Sequence, residues 1–222
     1  MEKVLHKIET LFFNPKGFFN RLSHEKGYIR PIIYFALCYI IYVFFANITQ
    51  ILVHAKNGIL AAGLVLFPIE LILGAMAAFA FPFFASAVIH LGVITMRVDA
   101  DFLETFKAVT YAGIVLIIYL LLIQVAKVIF LVLGISPYVN EMLVNIINAM
   151  VALGLFVLGF FHYLIALVTG LSMYQKINWL KALFSVFFVP LMLSVVAFFT
   201  IIFGIAIIAS TLSATGSFAH IL

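Results

Sequence analysis

Charge is what this sequence has least of. Lys and Arg number 12 and Asp and Glu 8 among 222 residues, 9% in all, against roughly a quarter in a soluble domain. So few charges leave too little polar surface to face water. Cysteine is nearly absent too. Cys38 stands alone inside an apolar run, which excludes an intramolecular disulfide and reads as a small buried hydrophobe. There is no His-Glu-x-x-His, no Gly-x-Ser-x-Gly and no phosphate-binding loop, so common hydrolase and nucleotide chemistries have no motif to rest on. No cofactor is expected. No signal peptide is expected either, because Met1–Arg30 carries six Lys/Arg and no apolar core of its own. An internal repeat, the usual basis of a secondary transporter, is not visible.

What is abundant is hydrocarbon. Apolar residues make up 67% of the chain, with 25 Phe and 9 Tyr, and the mean hydropathy is +1.31. The fold class this implies is all-α: a polytopic transmembrane helical bundle whose partner is the lipid bilayer. The net charge of +4 does not point to nucleic acid, since the basic residues flank apolar runs instead of covering one face.

A spanning helix needs about 20 apolar residues. Five such spans are read, at 31–53, 71–94, 109–133, 143–171 and 182–209, forming one membrane domain over 31–222. Gly58–Met96 as a single straight helix would be about 58 Å long. Pro68 and Glu70 suggest dividing it, leaving 58–67 as an interfacial or re-entrant segment. A hairpin of two spans is the rival. Asp101 and Glu104 have capping-box spacing before the third span, and Gly134 and Pro137 end it.

Basic residues set the orientation. With five spans and a cytoplasmic amino terminus, Lys3, Lys7, Lys16, Arg21, Lys26, Arg30, Arg97, Lys107, Lys176 and Lys181 lie inside, against Lys56 and Lys127 outside. The hairpin alternative would move four of the ten outward. The positive-inside rule favours five spans, with the carboxyl terminus on the opposite side, and the absent signals and compact loops suit a prokaryotic plasma membrane.

Residues 1–30 read as a cytoplasmic amphipathic segment. Val4, Leu5, Ile8, Leu11 and Phe12 follow helical spacing, and Asn14-Pro15 starts a second short helix. Lys3, Lys7, Phe12, Lys16, Phe18, Phe19 and Arg21 are the expected interfacial anchor on an anionic leaflet.

Ionisable groups inside spans are costly and so are candidate functional residues. Glu70 and Lys127 should lie at similar depth, with Gln124, Asn145 and Asn148 completing a polar cluster that either staples helices or lines a solute path. His90 and His162 fall in the inner halves of the second and fourth spans. With no third ligand evident, they read as histidines hydrogen-bonded between helices, and no metal is expected. Arg97, Asp99, Asp101, Glu104 and Lys107 form a candidate cytoplasmic loop surface. Gly74, Ala78 and Ala85 share one helix face, suited to bundle packing or to a homo-oligomer.

Three stretches carry a resemblance: Phe12–Phe19 (FFNPKGFF), His90–Gly113 (HLGVITMRVDADFLETFKAVTYAG) and Gly170–Leu191 (GLSMYQKINWLKALFSVFFVPL). Within them, Phe102, Thr105, Phe106, Tyr111 and Ala112 form one pattern and Lys181-Ala182 another. The chain resembles the Yip domain family of Ypt/Rab-interacting proteins, and its prokaryotic branch in particular. The resemblance implies five spans and a cytoplasmic amino terminus. The long hydrophilic amino-terminal region and Asp-Leu-Tyr-Gly-Pro motif of eukaryotic members are absent, so no GTPase partner is carried over. The function this leaves is a non-enzymatic membrane scaffold with an unidentified protein partner, or alternatively a small-solute or ion transporter using the polar cluster.

Overall fold

A computed structural model describes residues 2–22, 24, 26–56, 58–96, 99–134 and 141–214. Seven helices occupy them: α1 (Glu2–Phe13), α2 (Pro15–Leu22), α3 (Ile29–Lys56), α4 (Leu60–Met96), α5 (Phe102–Gly134), α6 (Glu141–Tyr174) and α7 (Trp179–Ala214). No strand is found among the described residues. Helices α3 to α7 are long and apolar enough to cross a membrane, and they are apolar all round, as lipid-embedded helices are. Large side chains such as Leu64, Ile72, Phe84 and Phe203 stand exposed on their outer faces. In water those faces would aggregate; in lipid they are solvated.

The second span is corrected. Residues 60–67 belong to α4, which runs unbroken through Pro68 and Pro82 for 37 residues. At Pro82 neighbouring helices account for this tolerance. Pro82 is buried in the bundle, and proline in a membrane helix survives where packed neighbours stabilise the freed backbone. At about 55 Å, α4 exceeds a hydrocarbon thickness of about 30 Å and must tilt or project into the headgroups.

Helix α5 is the axis. It packs on α3, α4 and α6, while α7 packs on α4 and α6. The chain direction puts α1, α2 and the α4–α5 and α6–α7 turns at one end of the bundle, here the proximal end. The core lies there. Residues 105–112 of α5 are buried without a gap, as are 166–168 and Leu171 of α6, whereas the distal half of α6 is mostly exposed and that of α5 mostly half-buried.

The small-residue face is used within the chain. Ala78 is fully buried, Ala85 packs on the core, and a Cβ on Gly74 would sit 2.7 Å from a Val43 methyl. At Gly74 that face is occupied by α3. Helices α4 and α7 come closer still at Gly92, which lies directly on the Ser185 backbone carbonyl. Only hydrogen fits there.

Candidate functional site

Two features at the proximal end depart from a plain five-helix bundle. The first is a clasp formed by α1 and α2. Asn14 breaks the chain between them and caps α2, its Oδ1 accepting from Gly17 N at 2.8 Å. The turn folds the pair back against α5 and α6. Phe19 is fully buried, its ring on Gly170 and Tyr174, and Phe18 meets Tyr111 edge-on at 5.2 Å.

This corrects the anchor reading. Phe18 and Phe19 face protein, because the bare Gly170 surface leaves room for an aromatic ring that lipid would otherwise fill. Leu11 is buried as well. Lys16 and Arg21 are exposed, as is Phe13 at the tip, at 86%. Lys3 and Lys7 lie on α1, with their side chains outside the described residues.

His162 fastens the end of α1. Its Nε2 lies 3.0 Å from the Phe12 carbonyl, one of the last carbonyls of α1, which the helix itself cannot satisfy. A carbonyl only accepts, so Nε2 carries the proton. In the neutral ring Nδ1 then accepts from the Tyr119 hydroxyl at 3.3 Å. The Phe12 ring stands edge-on to the imidazole at 4.8 Å. Replacing His162 with Phe keeps the ring and removes both bonds. The expected result is faster amide exchange across Leu11–Phe13, about tenfold for the ~1.4 kcal/mol that one hydrogen bond of this kind supplies at most.

The second feature is a polar knot between the α4–α5 and α6–α7 turns. Gln175 is fully buried just beyond α6. Its Nε2 donates to the Asp101 carbonyl and, at 2.9 Å, to Thr105 Oγ1, while its Oε1 accepts from Asp101 N at 3.2 Å. His90 Nδ1 reaches the same Thr105 hydroxyl at 2.9 Å, bringing α4 into the knot. Asp101 Oδ1 accepts from Leu103 N at 2.9 Å and so caps α5. With that cap in place, Glu104 and Lys107 are helical and not part of a loop. Lys107 is buried, its ammonium 5.7 Å above the Tyr174 ring. Asp99 is exposed, and Arg97 lies outside the described residues.

A Yip1 domain match spans residues 8–201, from within α1 to within α7. The chain belongs to the Yip1 domain family. No curated protein and no solved structure matches it. The stretch that defines this Yip1 protein thus takes in α2 and half of α1 as well as the spans. It is a multi-pass membrane protein.

The two histidines serve separate networks, the clasp and the knot. The distal polar residues are not drawn into one cluster. The outer half of α4 is applied to α3, with Phe67 on Phe44 at 6.3 Å and Gly63 against His54, so Glu70 is not brought to Lys127. Among the described residues no ion pair or hydrogen bond joins them. Glu70 and Asn145 are exposed, Gln124 and Lys127 half-buried, and the buried Oδ1 of Asn148 has no hydrogen-bond partner. Sequence reasoning missed Gln175. A glutamine beside a lysine at a span end reads as solvated loop, and its partners lie about 70 residues away in the chain.

Proposed function

We propose that this Yip1 protein is a non-enzymatic organiser of the bilayer, and that its working part is the clasp. The observation that carries this is the burial of Phe18 and Phe19 against α5 and α6, which fixes two extra helices to the proximal end alone. The bundle is then broader in one leaflet than in the other, a shape that favours a bent membrane. The setting suits that role. Lys16, Arg21, Lys26, Arg30, Lys176 and Lys181 are exposed at this end beside the apolar Trp179 and Leu180, a basic and aromatic rim for an anionic headgroup layer. In this reading the proximal end is cytoplasmic and the host is the plasma membrane. An as yet unidentified cytoplasmic protein would meet the same rim.

Two measurements test it. Reconstituted into giant vesicles from which narrow tubes are pulled, the full chain should be enriched in the tubes about twofold, and a variant lacking residues 2–22 should not. Equal partitioning of both would end the wedge reading. For orientation, Lys16→Cys in a Cys38→Ala background should react with an impermeant maleimide only in opened cells or inverted vesicles. Labelling of intact cells would reverse the topology.

A further inference from the structure

Between α3, α4, α5 and α6 lies an apolar cavity of about 220 Å³, distinct from the clasp. Phe35 and Tyr39 of α3, Phe81 of α4, Tyr163 of α6 and the Thr110, Leu116 and Leu120 face of α5 line it. Apolar cavities of this size stay dry and take apolar ligands; one of roughly 150 Å³ already holds benzene. Phe81 is 55% exposed on the outside of α4, so the wall is also a lipid-facing surface.

One wall residue is out of keeping. Thr110 is fully buried, and its hydroxyl has no hydrogen-bond partner, not even the carbonyl one turn back. An orphan hydroxyl costs stability unless something supplies a partner. Its depth says what. Thr110 lies about 12 Å and Leu120 about 27 Å along α5, a helix of about 50 Å. If the overhang beyond a hydrocarbon core of about 30 Å is shared equally, Thr110 sits about 2 Å inside the acyl boundary and Leu120 near the midplane. The cavity is one leaflet deep, with its hydroxyl at the level of lipid ester carbonyls and only hydrocarbon below.

We propose that this cavity holds one acyl chain of a bilayer phospholipid, with Thr110 Oγ1 donating to the ester carbonyl. The chain enters from the proximal leaflet beside Phe81 and ends near Leu120. The site is independent of the wedge reading, and either could fail alone.

The probe is phosphatidylcholine with a mid-chain diazirine, in vesicles carrying the full-length protein. After irradiation, adducts are expected on the peptides around Leu116, Leu120 and Tyr163, and excess unlabelled phosphatidylcholine should suppress them. Leu116→Trp fills the cavity and should abolish these adducts while leaving those on the lipid-facing Phe198 and Ile202 of α7 unchanged. Thr110→Val keeps the shape, removes the donor and should cut cavity labelling about fivefold; it serves where the tryptophan variant does not fold. Cavity labelling no denser than on α7, or insensitive to Thr110→Val, would overturn the site. Competition by free palmitate and not by phosphatidylcholine would overturn the phospholipid assignment.

Discussion

Gly92→Val should detach α7 from α4 and cost at least about 3 kcal/mol, the upper range for overpacking a rigid site. The added carbon falls on the Ser185 carbonyl, a backbone atom that cannot rotate aside as a side chain would. Because α4 and α7 pack through this crossing, the helix axes must separate and the damage should spread along both. A cysteine pair placed across α4 and α7 near this level would then cross-link poorly, and the thermal midpoint in detergent would fall. Gly154→Val is the matched control. Nothing stands within 4 Å of its new carbon, so the same substitution on a lipid-facing surface should leave the midpoint unchanged. Equal sensitivity at both glycines would mean that the crossing does not carry the packing.

Gln175→Leu should cost about 2–4 kcal/mol, since it removes three hydrogen bonds at once from one part-buried network. The volume is nearly kept, but Asp101 N loses its partner, the Asp101 carbonyl loses one of its donors, and Thr105 Oγ1 keeps His90 but loses the glutamine. The turn before α5 and the turn after α6 would then be free to part. Hydrogen exchange at Phe102–Thr105 reads this directly and should rise with little change in the distal halves. Combined with Thr105→Val, the two losses should fall well short of their sum, because both remove the same network. Additive losses would show that Gln175 acts alone.

Most of the fold was legible in the sequence because lipid enforces it. A run of about 20 apolar residues admits few alternatives, and each span boundary is marked by a cap, a glycine or a basic residue. The limits of α5 followed from Asp101 and Gly134 in this way. The division of α4 at Pro68 misled: this proline is exposed and α4 runs through it all the same, because in lipid a helix has no water to satisfy the backbone if it breaks.

The site was less legible. Phe18 and Phe19 have the same hydrophobicity whether they meet lipid or the bare surface at Gly170, and only the partner decides. Depth along a span can be read from the chain, but which neighbour a helix face meets cannot, and among the described residues no ion pair or hydrogen bond joins Glu70 to Lys127. Thr110 gave no signal, since a threonine in a span ordinarily bonds its own helix.

The tight packing at one end has a mechanical consequence. The knot and the clasp hold the proximal halves of α5 and α6 rigidly, whereas the far half of α6 faces mainly lipid and that of α5 is only partly covered. A thicker or thinner bilayer should therefore be met by the free ends, splaying or drawing together like the legs of a compass about a fixed pivot. The protein would then register membrane thickness as an angle, while the surface it presents around Lys16 and Trp179 keeps its shape.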